Sequence, residues 1–226
     1  MANFKTHVGV ATAVCTGAAF IMANNAHLIS YTQMPWLIFL GIIGGMLPDI
    51  DAHNSRPVRL LFNLLGLLAA AAMAQILKPH SLASYYQLVL AAAAYLLVRY
   101  GTFALFNQLT VHRGVFHSLL ACGFFVFITT GISHYLLHWQ VLYAWLNGVF
   151  IGVGFIVHLL LDECFSVNLS NARMKKSFGT AFKLYSYKDL TASVLMLTCT
   201  VAAYWWTPSA LPLLKVIKAS GLLVLE

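Results

Sequence analysis

Apolar residues run along the chain in seven blocks, at about 8–25, 31–47, 60–77, 86–106, 115–137, 141–161 and 190–207. Blocks of this length suit the roughly 20 residues that an α-helix needs to cross a hydrocarbon core, and most are too long for buried strands. The pattern predicts an all-α, polytopic transmembrane helical bundle of about seven spans. The second block reads cleanly only from Pro35 to Leu47. A run that short rises only about 20 Å, so its helix is expected to start earlier, near Tyr31. Pro208, Pro212, Lys215 and Lys218 mark residues 208–226 as an interfacial tail, leaving 1–207 as a single membrane domain. The first block follows Lys5 in signal-peptide order, but it is long and its cleavage site is poor, so a retained first span is expected. No internal repeat stands out.

Composition supports this class. The chain is 61% hydrophobic and 8% charged, against about 25% charged in a soluble domain; a soluble enzyme, a disordered chain and a coiled coil are excluded. Basic residues set the orientation, because cytoplasmic loops are enriched in them. With the N-terminus inside, Lys5, Arg56, Arg59, Arg113, Arg173, Lys175, Lys176, Lys183 and Lys188 fall on the cytoplasmic face, against Lys78, Lys215 and Lys218 outside. Trp36, Trp139, Trp145, Trp205 and Trp206 then form a belt at the outer ends. The net charge of +7 points to the bilayer and its anionic headgroups as partners, with no direct nucleic-acid binding expected. Cys15, Cys122, Cys164 and Cys199 contain no C-x-x-C pair and imply no disulfide framework.

Candidate chemistry is confined by scarcity. Of six acids, Asp49, Asp51, Asp162 and Glu163 form two tight pairs beside apolar blocks, and nine histidines accompany them. Four motifs fall at the predicted cytoplasmic ends of spans one, two, five and six. His7 stands one residue before the first block, where an exposed terminal histidine is the plain reading. In GGMLPDIDAHN (44–54), Pro48 ends the helix and Asp49 and Asp51 follow at spacing two. In an extended turn that spacing points both carboxylates the same way, and His53 continues the series. In VHRGVFHSLL (111–120), Gly114 allows a turn that leaves His112 in the loop and puts His117 in the first helical turn, with Arg113 placed to stabilise an anion. In HLLLDE (158–163), His158 and Asp162 share a helix face at i, i+4. Mixed imidazole and carboxylate ligands suit zinc, with manganese or iron as alternatives.

This ordered set, a histidine before the first span, then LPDID, HRGVFHS and HLLLDE, resembles the YdjM family over roughly residues 7–165. Its members are bacterial inner-membrane proteins proposed to be metal-dependent hydrolases. The resemblance implies His7, Asp49, Asp51, His112, His117, His158 and Asp162 as metal ligands. The family is in turn similar to zinc-dependent phospholipases C and P1-type nucleases, whose closing helix carries the His-x-x-x-Asp matched by His158 and Asp162. Their middle helix has a second such pair. Here Phe116 stands four residues after His112, so one or two ions are expected rather than three.

The expected function is a hydrolase at the cytoplasmic membrane surface, acting on a phosphoester or lipid-type substrate through metal-activated water. Asp51 or Glu163 would serve as base and Arg113 as the anion-stabilising group. Arg99, inside the fourth block, could reach the site, pair with a carboxylate, or only pack. Residues 164–188 mix aromatic and basic residues as a headgroup-binding segment would. Two alternatives stay open: a non-catalytic scaffold with a structural metal, and a metal-ion transporter. Transport needs polar groups through the midplane, and the outer half offers only His27, Lys78, His80, His134 and His138.

Overall fold

The computed structural model of the protein describes residues 3–24, 28–51, 56–78, 83–104, 115–165, 167–168, 173–174, 183–187 and 190–219. The described residues are helical apart from turns and one short antiparallel pairing, β1 (Val167–Asn168) with β2 (Arg173–Met174). The helices are α1 (Phe4–Asn24), α2 (Met34–Gly44), α3 (Arg56–Leu77), α4 (Ser84–Leu96), α5 (Leu119–Gly131), α6 (Val141–Cys164), α7 (Leu190–Trp205) and α8 (Leu211–Ala219). A 3-10 turn, Leu47–Asp51, follows α2, and wide π-helical turns extend α4 through Leu97–Thr102 and α5 through Ile132–Leu136. Among the described residues, four stretches are long and apolar enough to cross a membrane: α1, Val58–Leu77, Leu119–Leu136 and α6. The apolar helices α2 and α7 are shorter, at 11 and 16 residues.

Two compact units divide the chain, residues 1–48 with 115–226, and residues 49–114. In the first, α6 is the central helix: 67% of its apolar window is buried, against 28% for α1 and for Leu119–Leu136. It packs on α1, α2 and α5, and α5 packs on α7. Glycines set these approaches. A Cβ on Gly154 would strike the Gly41 carbonyl oxygen, and one on Gly44 the carbonyl of Ile151. Gly148 meets the Val126 carbonyl and Thr130 in the same way. The spacings Gly41/Gly45 and Gly148/Gly152, which suit close helix packing, therefore lie on contact faces.

The helix ends have local causes. Asn3 caps α1, its side chain accepting from the Thr6 N–H at 2.9 Å, as a capping residue does. The helix thus begins earlier than the apolar block and includes His7. At α2 the start comes later than the expected Tyr31. A turn closed by Gln33 N–H to the Ser30 carbonyl at 3.0 Å precedes Met34, and Pro35 is suited to the first helical positions.

In the second unit, α3 packs on α4. Tyr95 donates its hydroxyl to Asn63 Oδ1 at 3.2 Å, and Arg99 donates to the same oxygen. The Arg99 guanidinium also lies over the rings of Tyr100 and Phe103, at 4.9 and 5.4 Å. Arg99 thus has an amide and two rings around it inside its own unit.

Candidate metal centre

Three elements of the first unit bring four polar side chains together. His7 lies in the second turn of α1 and continues a buried stripe of small residues, Ala11, Cys15, Ala19 and Ala23, at a spacing of four. That stripe faces the neighbouring helices and carries the imidazole inward with it. His117 precedes α5: the helix opens at Leu119, with Ser118 as the cap whose hydroxyl accepts from the Ala121 N–H at 3.3 Å. His117 is therefore outside the first helical turn in which the spacing put it. The Ser118 hydroxyl also donates to the Val115 carbonyl, closing the turn that carries His117. His158 and Asp162 come from the last turns of α6, one turn apart on the same face, as their spacing predicts.

All four are nearly sealed, His7, His117 and Asp162 at 3% exposure and His158 at 1%. The Asp162 carboxylate is the hub. His7 Nε2 lies 3.2 Å from Oδ1, and the Nε2 atoms of His117 and His158 each lie 3.9 Å from Oδ2. The rings of His7 and His158 stack, with centroids 3.8 Å apart and planes at 12°. The His117 ring stands edge-on to His158, 5.7 Å away. His158 Nδ1 is 2.7 Å from the carbonyl oxygen of Gly45, at the end of α2.

Hydrogen bonding does not account for this cluster. Among the described residues, neither oxygen of Asp162 accepts a regular hydrogen bond, and His7 Nδ1 has no partner. A buried carboxylate left this way costs several kcal/mol. An added proton on an imidazole, or a cation between the donors, removes that cost. Ligand atoms of His7, His158 and Asp162 lie within 4.8 Å of one another and could hold a metal ion. Nitrogen and carboxylate donors at such spacing fit zinc chemistry.

Asp49 is half-buried in the 3-10 turn, where Asp51 is also placed by its backbone. This segment is a 3-10 turn rather than extended backbone, so the extended-turn premise used to pair Asp49 with Asp51 does not hold. His53, His112 and Arg113 lie outside the described residues, as does most of 164–188. Glu163 is half-buried and about 100° around α6 from Asp162. Cys164 is exposed. His134 Nδ1 lies 2.9 Å from the Trp139 carbonyl, beside the left-handed His138 at φ 56°.

A cavity of about 470 Å³ lies between the first turn of α5, α7 and residues 184–185. Its walls are leucine, valine and tyrosine, with Ser193. The Ser193 hydroxyl donates to the Ser186 carbonyl at 2.9 Å, and the lining is predominantly apolar.

The model of the YdjM inner membrane protein family matches residues 1–211. No curated protein and no solved structure matches the chain.

Proposed function

Since the chain belongs to the YdjM inner membrane protein family, we propose that it is a multi-pass inner-membrane protein of about seven spans with a cytoplasmic N-terminus. In this reading it works as a metal-dependent hydrolase at the cytoplasmic surface, on a phosphoester or lipid-type substrate. The observation that carries the reading is Asp162, sealed in an apolar helix among three imidazoles with, among the described residues, no regular hydrogen bond to either oxygen. Intramembrane ionisable groups are rare and commonly functional. Two features support the orientation: the distribution of basic residues and a cluster of tryptophans at the opposite end of α6, where Trp36 stacks on Trp139 at 6.0 Å.

His7, His158 and Asp162 would hold one divalent ion, zinc being the best match, with His117 as a fourth donor. By their motifs in the sequence, Asp49, Asp51 and His112 would be further ligands. When bound, the ion acts as a Lewis acid and makes water a competent nucleophile near neutral pH. The chain itself would supply Arg113 against negative charge on the substrate and Asp51 or Glu163 as base. The apolar cavity and the basic residues of 164–188 favour a substrate that stays at the membrane surface.

Metal analysis of the purified protein, beside His158→Ala and Asp49→Ala, tests the centre. Wild-type protein that takes up no metal after reconstitution ends the reading, and equal uptake in both variants ends the ligand assignment. Hydrolysis of a chromogenic phosphodiester by zinc-loaded protein in lipid vesicles, lost in His158→Ala, tests the activity. Metal uptake without turnover leaves the structural-metal scaffold, and zinc accumulation inside sealed vesicles identifies a transporter.

A further inference from the structure

We infer that the Gly45 carbonyl, at the C-terminus of α2, is a positioning group for the metal centre: it holds His158 in the tautomer that presents Nε2 as the ligand atom. The inference rests on the metal-centre reading above and adds to it which atom binds and what selects that atom.

A carbonyl oxygen can only accept, so the 2.7 Å contact between His158 Nδ1 and Gly45 O requires the proton on Nδ1. In the neutral ring Nε2 then carries the lone pair, and Nε2 is the atom 3.9 Å from Asp162 Oδ2. Two electron-rich atoms facing each other in a sealed site call for a cation between them. Metal-binding histidines are commonly held in this way, by a carbonyl or carboxylate on the far nitrogen.

Gly45 is free to play this part because α2 stops there. The last carbonyls of a helix have no N–H partner within it, and α2 ends at Gly44 with Gly45 as its cap. The cap keeps right-handed geometry, φ −66° and ψ −12°, and its own N–H still bonds Gly41 O at 2.9 Å. The negative end of this 11-residue helix therefore meets the centre, a further preference for positive charge.

The reach depends on the glycine seam. Gly41, Gly44 and Gly154 let the α2 and α6 backbones touch, and Gly45 itself faces Ala11 of α1. A Cβ at Gly45 would lie 2.9 Å from the Ala11 Cβ and 3.6 Å from Gly154 O. Ala11 is one turn beyond His7 on the same buried stripe. A methyl added at residue 45 therefore pushes α2 away from α1, and removing the Ala11 methyl returns the space. The pair forms a reciprocal exchange that separates carbonyl placement from bulk composition.

Two measurements test the role. In metal-free wild type at about pH 8, above the usual imidazole range, ¹⁵N NMR of labelled histidines should show His158 protonated at Nδ1. The signal is assigned by its loss in His158→Gln; protonation at Nε2 overturns the inference, whatever the variants do. In cobalt titrations, Gly45→Ala should bind about 10–100-fold more weakly, and Ala11→Gly/Gly45→Ala should recover most of that loss. Wild-type affinity in a folded Gly45→Ala overturns the role, as does a folded double variant no better than the single one. If Gly45→Ala does not fold, the wild-type tautomer decides. Wild type that takes up no cobalt overturns the metal-centre reading and this role with it. Uptake that Gly45→Ala leaves unchanged overturns this role alone.

Discussion

The two ends of α6 both bury polar side chains, and they treat them in opposite ways. Near its start Asn147 is fully buried, yet Oδ1 accepts from Trp36 Nε1 at 3.2 Å and Nδ2 donates to Ser133 Oγ at 3.1 Å. Trp145 beside it donates to the carbonyls of Pro208 and Ser209, tying the segment before α8 to α6. About 16 and 22 Å further along the helix, His158 and Asp162 are nearly as buried, but among the described residues the carboxylate accepts no regular hydrogen bond. Burial alone therefore does not mark function in this chain. Asn147 specifies how helices fit, because a satisfied amide rewards one arrangement. Asp162 is faced by three imidazoles at 3.2–3.9 Å but accepts no regular hydrogen bond among the described residues, and a site left that way is suited to binding something else.

Substituting the hub is the harshest test of that contrast. Asp162→Asn should weaken zinc or cobalt binding by more than about 100-fold, since even the groups that only orient a ligand are worth about 10–100-fold. The metal-free variant should melt no lower than metal-free wild type, because an unsatisfied buried carboxylate is a cost to the fold. Calorimetry and metal titration in one detergent check both statements. Loss of metal-free stability with unchanged metal affinity would put the two ends of α6 in the same structural class.

Removing the metal from wild type comes next. At free zinc about 100-fold above its dissociation constant, binding contributes about 2.7 kcal/mol, which a chelator should abolish. Asp162→Asn should show no chelator effect. Asn147→Leu should show the full effect, because the two sites are too far apart to couple strongly. A chelator effect that disappears in Asn147→Leu would instead show that the ends act as one unit.

Asn147→Leu itself should destabilise by about 1–3 kcal/mol, the cost of leaving buried partners without a bond. Its metal affinity should stay within experimental error of wild type. Denaturation followed by tryptophan fluorescence, with a parallel cobalt titration, measures both.

Local spacing made one end of this contrast legible and left the other hidden. His158 and Asp162 stand out because i, i+4 on a helix is decided by the helix alone. The glycine spacings were readable for the same reason. Hydropathy leaves His7 outside the first apolar block because that block begins at Val8, whereas the helix begins at its Asn3 cap. The signal that locates it is the spacing of four through Ala11, Cys15, Ala19 and Ala23, a small-residue stripe that His7 heads. Pairing Asp49 with Asp51 assumes extended backbone, and the 3-10 turn removes that premise. No local sequence pattern marks Asn147. Its partners Trp36 and Ser133 lie 111 and 14 residues away, and no local pattern encodes pairings over such separations. The seven apolar blocks were legible as helices, but several helical boundaries were set by caps and turns that hydropathy does not register.

The smallest expected effect is also the cleanest check on the satisfied end. Trp36→Phe keeps an aromatic ring beside Trp139, whose stack with Trp36 has planes at 24°, and removes only the indole N–H from Asn147 Oδ1. Trp36 is 38% exposed, so water or a headgroup can reach that edge and replace part of the lost bond. The expected cost is therefore about 0.5–1.5 kcal/mol, below that of Asn147→Leu, with cobalt affinity unchanged. In a double-mutant cycle, Trp36→Phe should add little to Asn147→Leu, because the bond it deletes is already gone. Full additivity would mean that the Trp36–Asn147 contact carries no energy. The ordered network at this end of α6 would then reduce to the Asn147–Ser133 pair, and the contrast with Asp162 would rest on that pair alone.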